Sequence, residues 1–357
     1  MSAYIHPRFV TLGLISCALL SISCTNIKAH LMARAITNGL YSIESYEAQV
    51  TERGLLRRQP GVAVVKTILY ERPWKVRAEV MAPAEHAGEL FVSDGSTMSI
   101  WWPRSGIGLR IRGLDQPSRS EVARTLYRGC SWIVSHYDLD HEGSGVVGGR
   151  EVDLWNCEPL DQEPFVRPYQ AWMDAGTSVP LKLRIQDAPG HDWYAMEFDT
   201  IEFGVPVPPG AFRFEFPAEA LVFDCDLAGP AVTLTEAEEL VPFPILQPAK
   251  LPAGHELRKV VLGGDLEAAP IVALLMPQGA SWLSLSEMRN TGPASVPEIG
   301  IPVRIGDHDG VLNFAFGFTI VSWSVDNTAL TLIGNLPFPE MLAIAAEVGS
   351  AARPPSK

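Results

Sequence analysis

The stretch from Thr67 to Trp102 constrains the fold most, because it sets Trp74, Trp101 and Trp102 in short segments that turns keep interrupting. It reads as a strand, the turn Glu71-Arg72-Pro73-Trp74-Lys75, a second strand, Ser93-Asp94-Gly95-Ser96, and the apolar run Met98 to Trp102 closed by Pro103. Proline withholds a backbone donor and fixes φ, so no long helix runs through this region. Strands must then bury the tryptophan surface. The pattern fits a curved open sheet with one apolar face better than it fits a catalytic site.

Alternation elsewhere supports the same reading. Leu181-Lys182-Leu183-Arg184-Ile185 alternates cleanly, and Tyr194, Met196 and Phe198 repeat the pattern, so one face is buried and the other is wet. Strands are expected at Ser45 to Arg53, Val62 to Tyr70, Lys75 to Met81, Gly88 to Ser93, Met98 to Trp102 and Leu109 to Leu114. More are expected at Trp132 to Leu139, Arg150 to Glu158, Arg167 to Asp174, Leu181 to Asp187 and Trp193 to Phe203. Helical spacing marks His30 to Ile43. Ser118 with Glu121 has the capping-box spacing for a short helix to Tyr127.

From Ala218 to Leu251 the pattern lapses into proline-rich, acidic sequence, which reads as a boundary. Beyond it a second, smaller sheet is expected from Val260 to Leu262, Ile271 to Met276, Val303 to Ile305, Val311 to Trp323 and Leu330 to Ile333. Asp326-Asn327 suits a hairpin turn, and Pro339 suits the first turn of a closing helix. The expected division is 1–26 as a signal or lipoprotein segment, 27–220 as the larger domain, 221–250 as linker, 251–348 as a small mixed C-terminal domain, and 349–357 as tail. A chain of 357 residues suits two domains at ~150 residues each.

A net charge of −13 argues against a nucleic-acid role, which needs clustered Lys and Arg. Arg57-Arg58 and the run Arg104 to Arg112 are local exceptions, readable as solvated loops or as a basic ligand patch. At the N-terminus, Arg8 precedes the uncharged stretch Phe9 to Ile27, which fits a secretory segment. Cys17 and Cys24 each follow small residues in the manner of a lipoprotein cleavage box. Polar Thr25-Asn26 favours Cys24 as the lipidated residue, with Cys17 the alternative. An uncleaved anchor and an ordinary cleaved signal are the other readings, and every version puts the mature chain outside the cytoplasm. Cys130, Cys157 and Cys225 have no metal-type spacing, and their odd number leaves at least one unpaired.

Chemistry competes with packing at three places. The cluster His136-Tyr137-Asp138-Leu139-Asp140-His141-Glu142 could offer metal ligands, or be a polar strand edge running into the Gly143 to Gly148 turn. Gly306-Asp307-His308-Asp309-Gly310 could bind a cation, or be a tight hairpin turn. Ser281, Ser284 and Ser286 lack the glycine-flanked nucleophile elbow. The bland alternative prevails at each, and no enzyme, cofactor or metal is expected.

The order of helix, strand, Arg72-Pro73, strand, Val92-Ser93-Asp94-Gly95 and an aromatic run resembles the N-terminal half of the LolA/LolB/RseB superfamily of bacterial envelope proteins. Gly148-Gly149-Arg150, Trp172-Met173-Asp174, Val179 to Leu183 and Phe212 to Pro217 resemble its second half. Residues 249–348 resemble the smaller domain that follows such modules in some envelope and sporulation-associated lipoproteins, through Gly254, Gly306, the strand around Trp323 and the helix from Pro339.

The resemblance implies an α+β, mostly antiparallel fold: a curved half-barrel sheet with short helices over its concave apolar face, plus a smaller C-terminal α/β-mixed domain. It implies a pocket that shields acyl chains, with Phe91, Ile100, Trp102, Met196 and Phe198 as ligand-binding candidates. It also implies that Arg72 holds a helical lid, as the arginine of the Arg-Pro turn does in the carrier branch. The expected function is a non-enzymatic, membrane-anchored envelope protein that binds lipoprotein acyl chains or another apolar ligand. The alternative is an RseB-like module that binds a partner protein, such as an anti-sigma factor or an envelope enzyme, through its C-terminal domain.

Overall fold

The computed structural model describes residues 34, 38–39, 41–56, 59, 61–114, 132–133, 135–160, 166–188, 191–267, 269–277, 283–289, 299–315 and 318–348. The targeting segment with Cys17 and Cys24, the expected helix at 118–127, Cys130 and most of the expected helix at 30–43 lie outside them. Among the described residues, no helix is long and apolar enough to cross a membrane.

The first sheet contains β1 (Ser45–Arg53), β2 (Val64–Glu71), β3 (Lys75–Ala82), β4 (Leu90–Asp94), β5 (Thr97–Trp102) and β6 (Ile107–Arg112). It continues with β7 (Tyr137–Val147), β8 (Arg150–Pro159), β9 (Tyr169–Asp174), β10 (Pro180–Ala188), β11 (His191–Phe203) and β12 (Leu221–Asp226). The spatial order is β12-β6-β5-β4-β3-β2-β1-β11-β10-β9-β8-β7. Two antiparallel meanders are joined where β1 pairs with β11, and β12 is added in parallel to β6. The sheet is curved and does not close into a barrel.

Register converts the sequence alternation into two faces. Ala48, Ile68, Ala78, Phe91, Ile100, Leu109 and Phe223 lie directly opposite one another from strand to strand, so they form one apolar row. A parallel row runs through Tyr46, Tyr70, Val76, Ser93, Met98, Ile111 and Cys225. Tyr46 and Tyr70 stack at 5.2 Å between centroids. The opposite face is mostly polar. Its apolar patch, Leu69, Leu90, Val92 and Trp101, is covered by Val207, Phe212 and Phe214 from the chain that follows β11.

The second sheet holds β13 (Ala231–Val232), β14 (Lys259–Asp265), β15 (Ala269–Leu275), β16 (Leu283–Arg289), β17 (Ile301–Ile305), β18 (His308–Ala315), β19 (Phe318–Val325) and β20 (Thr328–Gly334). Its order is β13-β14-β15-β16-β20-β19-β18-β17, antiparallel throughout. Helices α1 (Leu234–Leu240) and α2 (Phe338–Glu347) complete it. Thr233 Oγ1 accepts from the Glu236 N–H, and Glu236 Oε2 accepts from the Thr233 N–H, a capping box that fixes the start of α1. Pro339 lies in the first turn of α2, where its missing N–H costs nothing.

The stretch 221–250, read from its prolines as a connection, supplies one strand to each sheet and a helix. There the sheets meet closely. Val261, Ile271, Ala273, Leu275 and Ile333 of the second sheet share one buried cluster with Met98, Leu109, Ile111, Phe223 and Cys225 of the first. A Cβ on Gly263 would lie 2.8 Å from both Asp224 O and Cys225 Cα, so only glycine permits this approach. A second seam is a short antiparallel bridge between Leu56 and Ile299, with the Gly300 N–H donating to Leu55 O at 3.0 Å.

Candidate functional site

The register puts all five ligand-binding candidates on one face. Phe91 and Ile100 are direct cross-strand partners, and Trp102 follows Ile100 by two on β5. Met196 and Phe198 alternate on β11 opposite Glu52 and Val50, which are in phase with Ala48. The candidates nevertheless fall into two groups. Phe91, Ile100 and Trp102 are partly buried against the cluster shared with the second sheet. Phe198 is buried with Ala48, Val50, Val152 and Leu181, while half-buried Met196 touches that cluster and also the large core of the second sheet.

Arg72 holds the chain entering β1. Its Nη1 donates to Tyr41 O at 2.9 Å, its Nη2 donates to Glu44 Oε1 at 3.1 Å, and its guanidinium lies over the Tyr41 ring. Adjacent Trp74 sits at φ 70°, a conformation that costs a bulky residue roughly 1–3 kcal/mol. The turn is therefore held in place by its surroundings, and Arg72 is one of its fixed points.

The histidine cluster is not brought together. Trp132 and His136 belong to a helical turn, where the sequence suggests strand, and their rings stack at 4.3 Å. His136 Nδ1 is hydrogen-bonded to Trp132 O at 2.8 Å, which withdraws it from the strand that starts at Tyr137. His141 instead packs on Trp155 and hydrogen-bonds to Asp153 at 3.3 Å. The expected turn over Gly143 to Gly148 is mostly strand: β7 continues to Val147 through a bulge after His141. At the 306–310 hairpin, Asp309 pairs with Arg304 at 2.9 Å. No group of residues among those described has the arrangement of a metal site.

Sequence reading missed a polar group on the apolar face. Tyr194 Oη donates to Glu52 Oε1 at 2.6 Å, and Lys66 Nζ forms an ion pair with Glu52 Oε2. Burial, with the neighbouring Glu52 charge, raises the Tyr194 phenol well above its ordinary range, so it is always a donor here. Lys66 lies opposite Val50 and Val80, while Glu52 lies opposite Met196 and Val64. The available signal was phase. Glu52 follows Tyr46, Ala48 and Val50 at even spacing, and Lys66 precedes Ile68 and Tyr70 in the same way.

No family model and no curated protein matches the chain. Among solved structures, it is similar to the complex of Pseudomonas aeruginosa MucA/MucB, with 17% identity and a TM-score of 0.43, over 92% of this chain and 100% of that one. It is similar to the Mycobacterium tuberculosis lipoprotein LppX, with 16% identity and a TM-score of 0.34, over 51% of this chain and 97% of that one. It is also similar to a LolA superfamily protein from Nitrosomonas europaea, with 12% identity and a TM-score of 0.26, over 51% of this chain and 97% of that one. The last belongs to the superfamily that the sequence resembles. At these TM-scores the matches carry no argument about a ligand, which has to come from the chain's own residues.

Proposed function

We propose that this chain is a membrane-anchored, non-enzymatic protein of a bacterial cell envelope that holds acyl chains, of a lipoprotein or another apolar ligand, on the Phe91 face. One observation carries the reading. An apolar row crosses seven strands, from Ala48 to Phe223, and although Ala48, Leu109 and Phe223 are buried, Ile68, Phe91 and Ile100 are only partly buried. An acyl chain laid along such a row gains ~0.8 kcal/mol per buried CH₂, so a few turns of contact give useful affinity. Residues 27–220 carry the ligand in this reading, and lipidation at Cys24, or at Cys17, anchors the chain.

A second reading is a regulator of the RseB kind, which binds a partner protein through residues 251–348. The shared cluster favours it, because the second sheet is docked on the first through Gly263 and Cys225, and a carrier needs no such attachment.

The test is native mass spectrometry of the purified full chain, followed by extraction and identification of anything bound. Ala78 lies in the apolar row between Ile68 and Phe91, so Ala78→Trp should displace an acyl adduct. Ala195 pairs with Arg53 and Arg184 on the other face, so Ala195→Trp should leave it in place. Retention of the adduct by Ala78→Trp would sink the acyl reading. A clean apo mass that takes up no added lipid would favour the partner-binding one.

A further inference from the structure

The Phe91 face carries a charge pair where its apolar phase calls for aliphatic residues. Such a pair seldom stabilises a fold, because the desolvation of both ions offsets their attraction. Its placement suits recognition better. Glu52 is directly opposite Met196, and Val50, which is opposite Lys66, is also opposite Phe198. The group thus adjoins two of the side chains assigned to the ligand.

Its hydrogen-bonding capacity is one-sided. Glu52 already receives the Tyr194 hydroxyl on Oε1, while its Oε2, buried and without a hydrogen bond among the described residues, is ion-paired with Lys66. An ammonium has three donors. Among the described residues Lys66 has one ion pair, and 20% of its side chain stays exposed. What is left is donor capacity in a group whose charges cancel, in a chain of net charge −13. An uncharged carbonyl oxygen can accept from Lys66 without disturbing that balance. A carboxylate or phosphate would be brought against Glu52 and repelled.

We infer that Glu52, Lys66 and Tyr194 form a polar subsite on the ligand face, which takes the uncharged ester or amide carbonyl of an acyl group in preference to a free fatty acid. This rests on the acyl-binding reading and names the ligand's head chemistry. An acyl ester occurs in a glycerolipid and in the diacylglyceryl group of a lipoprotein, so the probes must separate those sources.

The experiment titrates the purified full chain with 1-monooleoylglycerol, oleate and a synthetic diacylglyceryl-cysteine peptide. The ester should bind about tenfold tighter than oleate, the scale of one charge-assisted hydrogen bond. Glu52→Gln leaves the Lys66 charge unmatched and should reverse that order, with oleate gaining affinity, a result that misfolding cannot imitate. Lys66→Met should weaken the ester about tenfold, and should weaken oleate as well, because Glu52 then stands uncompensated beside its carboxylate. A lipopeptide that outcompetes the ester identifies an acylated protein as the source, whereas the reverse order identifies a glycerolipid. Oleate binding as tightly as the ester, or equal losses for both probes in Glu52→Gln, would overturn the subsite and leave acyl binding standing. If none of the three probes binds the unaltered chain, the acyl reading fails and the subsite with it.

Discussion

The backbone N–H of Leu246 donates to Glu287 Oε2 at 2.9 Å, in a core where Glu287 has no exposure to solvent. This bond ties the chain between the sheets to the centre of the second one. Glu287 Oε1 and Trp323 Nε1 have no hydrogen-bond partner among the described residues, and both side chains lie on one cross-strand row with Leu330 between them. Burial pushes the Glu287 carboxyl from an ordinary 4.5 up to about 8.

The folded chain therefore keeps a proton on Glu287 where the unfolded chain has lost it. The stability this contributes is complete below pH 4.5 and is gone above about pH 8. In between, the group lowers stability as pH rises, by up to ~1.4 kcal/mol per pH unit. Glu287→Gln keeps an acceptor for Leu246 and cannot ionise, so its stability should be flatter across that window. Urea denaturation at pH 5, 6.5 and 8 measures the difference, and identical slopes for both proteins would refute it.

Docking of the two sheets depends on the missing side chain of Gly263. A methyl group there would meet the backbone of Asp224 and Cys225, which cannot swing aside as a side-chain tip can. Gly263→Ala should cost about 1–3 kcal/mol through overpacking, and should loosen β12 from β14. Gly61→Ala is the control, because nothing lies within 4 Å of its Cβ position. Hydrogen exchange of the β12 amides reads the effect locally. Unchanged protection in Gly263→Ala would show that the seam has slack.

Alternation makes most of the first sheet legible in the sequence. The expected strand Ser45 to Arg53 is β1 to the residue, and the even-numbered candidates on β11 share their face with Phe91 as required. What failed was long-range or inverted. Leu221 to Asp226 alternates too, but its parallel partner β6 is remote in sequence, and nearby prolines favoured a linker. In β16 the polar phase, Ser284 and Ser286, is buried, so serines did not mark the solvent face. Helix α1 is encoded by Thr233-Leu234-Thr235-Glu236, a capping box whose signal is masked by the prolines that follow it. The Glu52–Tyr194 bond spans 142 positions, and no local pattern encodes it.

Removal of Arg72 should free the entry to β1. Arg72→Ala loses the bond to Tyr41 O and the ring contact, and Arg72→Lys cannot reproduce the two-pronged geometry. Because Glu44 is largely exposed, the carbonyl bond matters more than the ion pair. Amides from 41 to 44 should exchange about tenfold faster in Arg72→Ala, with the β16 amides unchanged as an internal reference. Equal protection at 41–44 in both proteins would reduce Arg72 to a surface turn residue.

The two described cysteines give a reactivity test of the same architecture. Cys157 lies on β8 and Cys225 on β12, toward opposite ends of the first sheet's strand order, and both are free thiols with 2% exposure. Burial raises each thiol to about 11, which leaves roughly 10²–10³ times less thiolate at neutral pH than an ordinary cysteine has. Iodoacetamide at pH 7.5 should therefore label neither residue in the native chain, and both in urea. Peptide mapping assigns the sites. Native labelling at Cys225 alone would mean that β12 leaves its place between β6 and β14 in solution, which would also remove the ground for the Gly263 prediction. Labelling at both would contradict the burial itself.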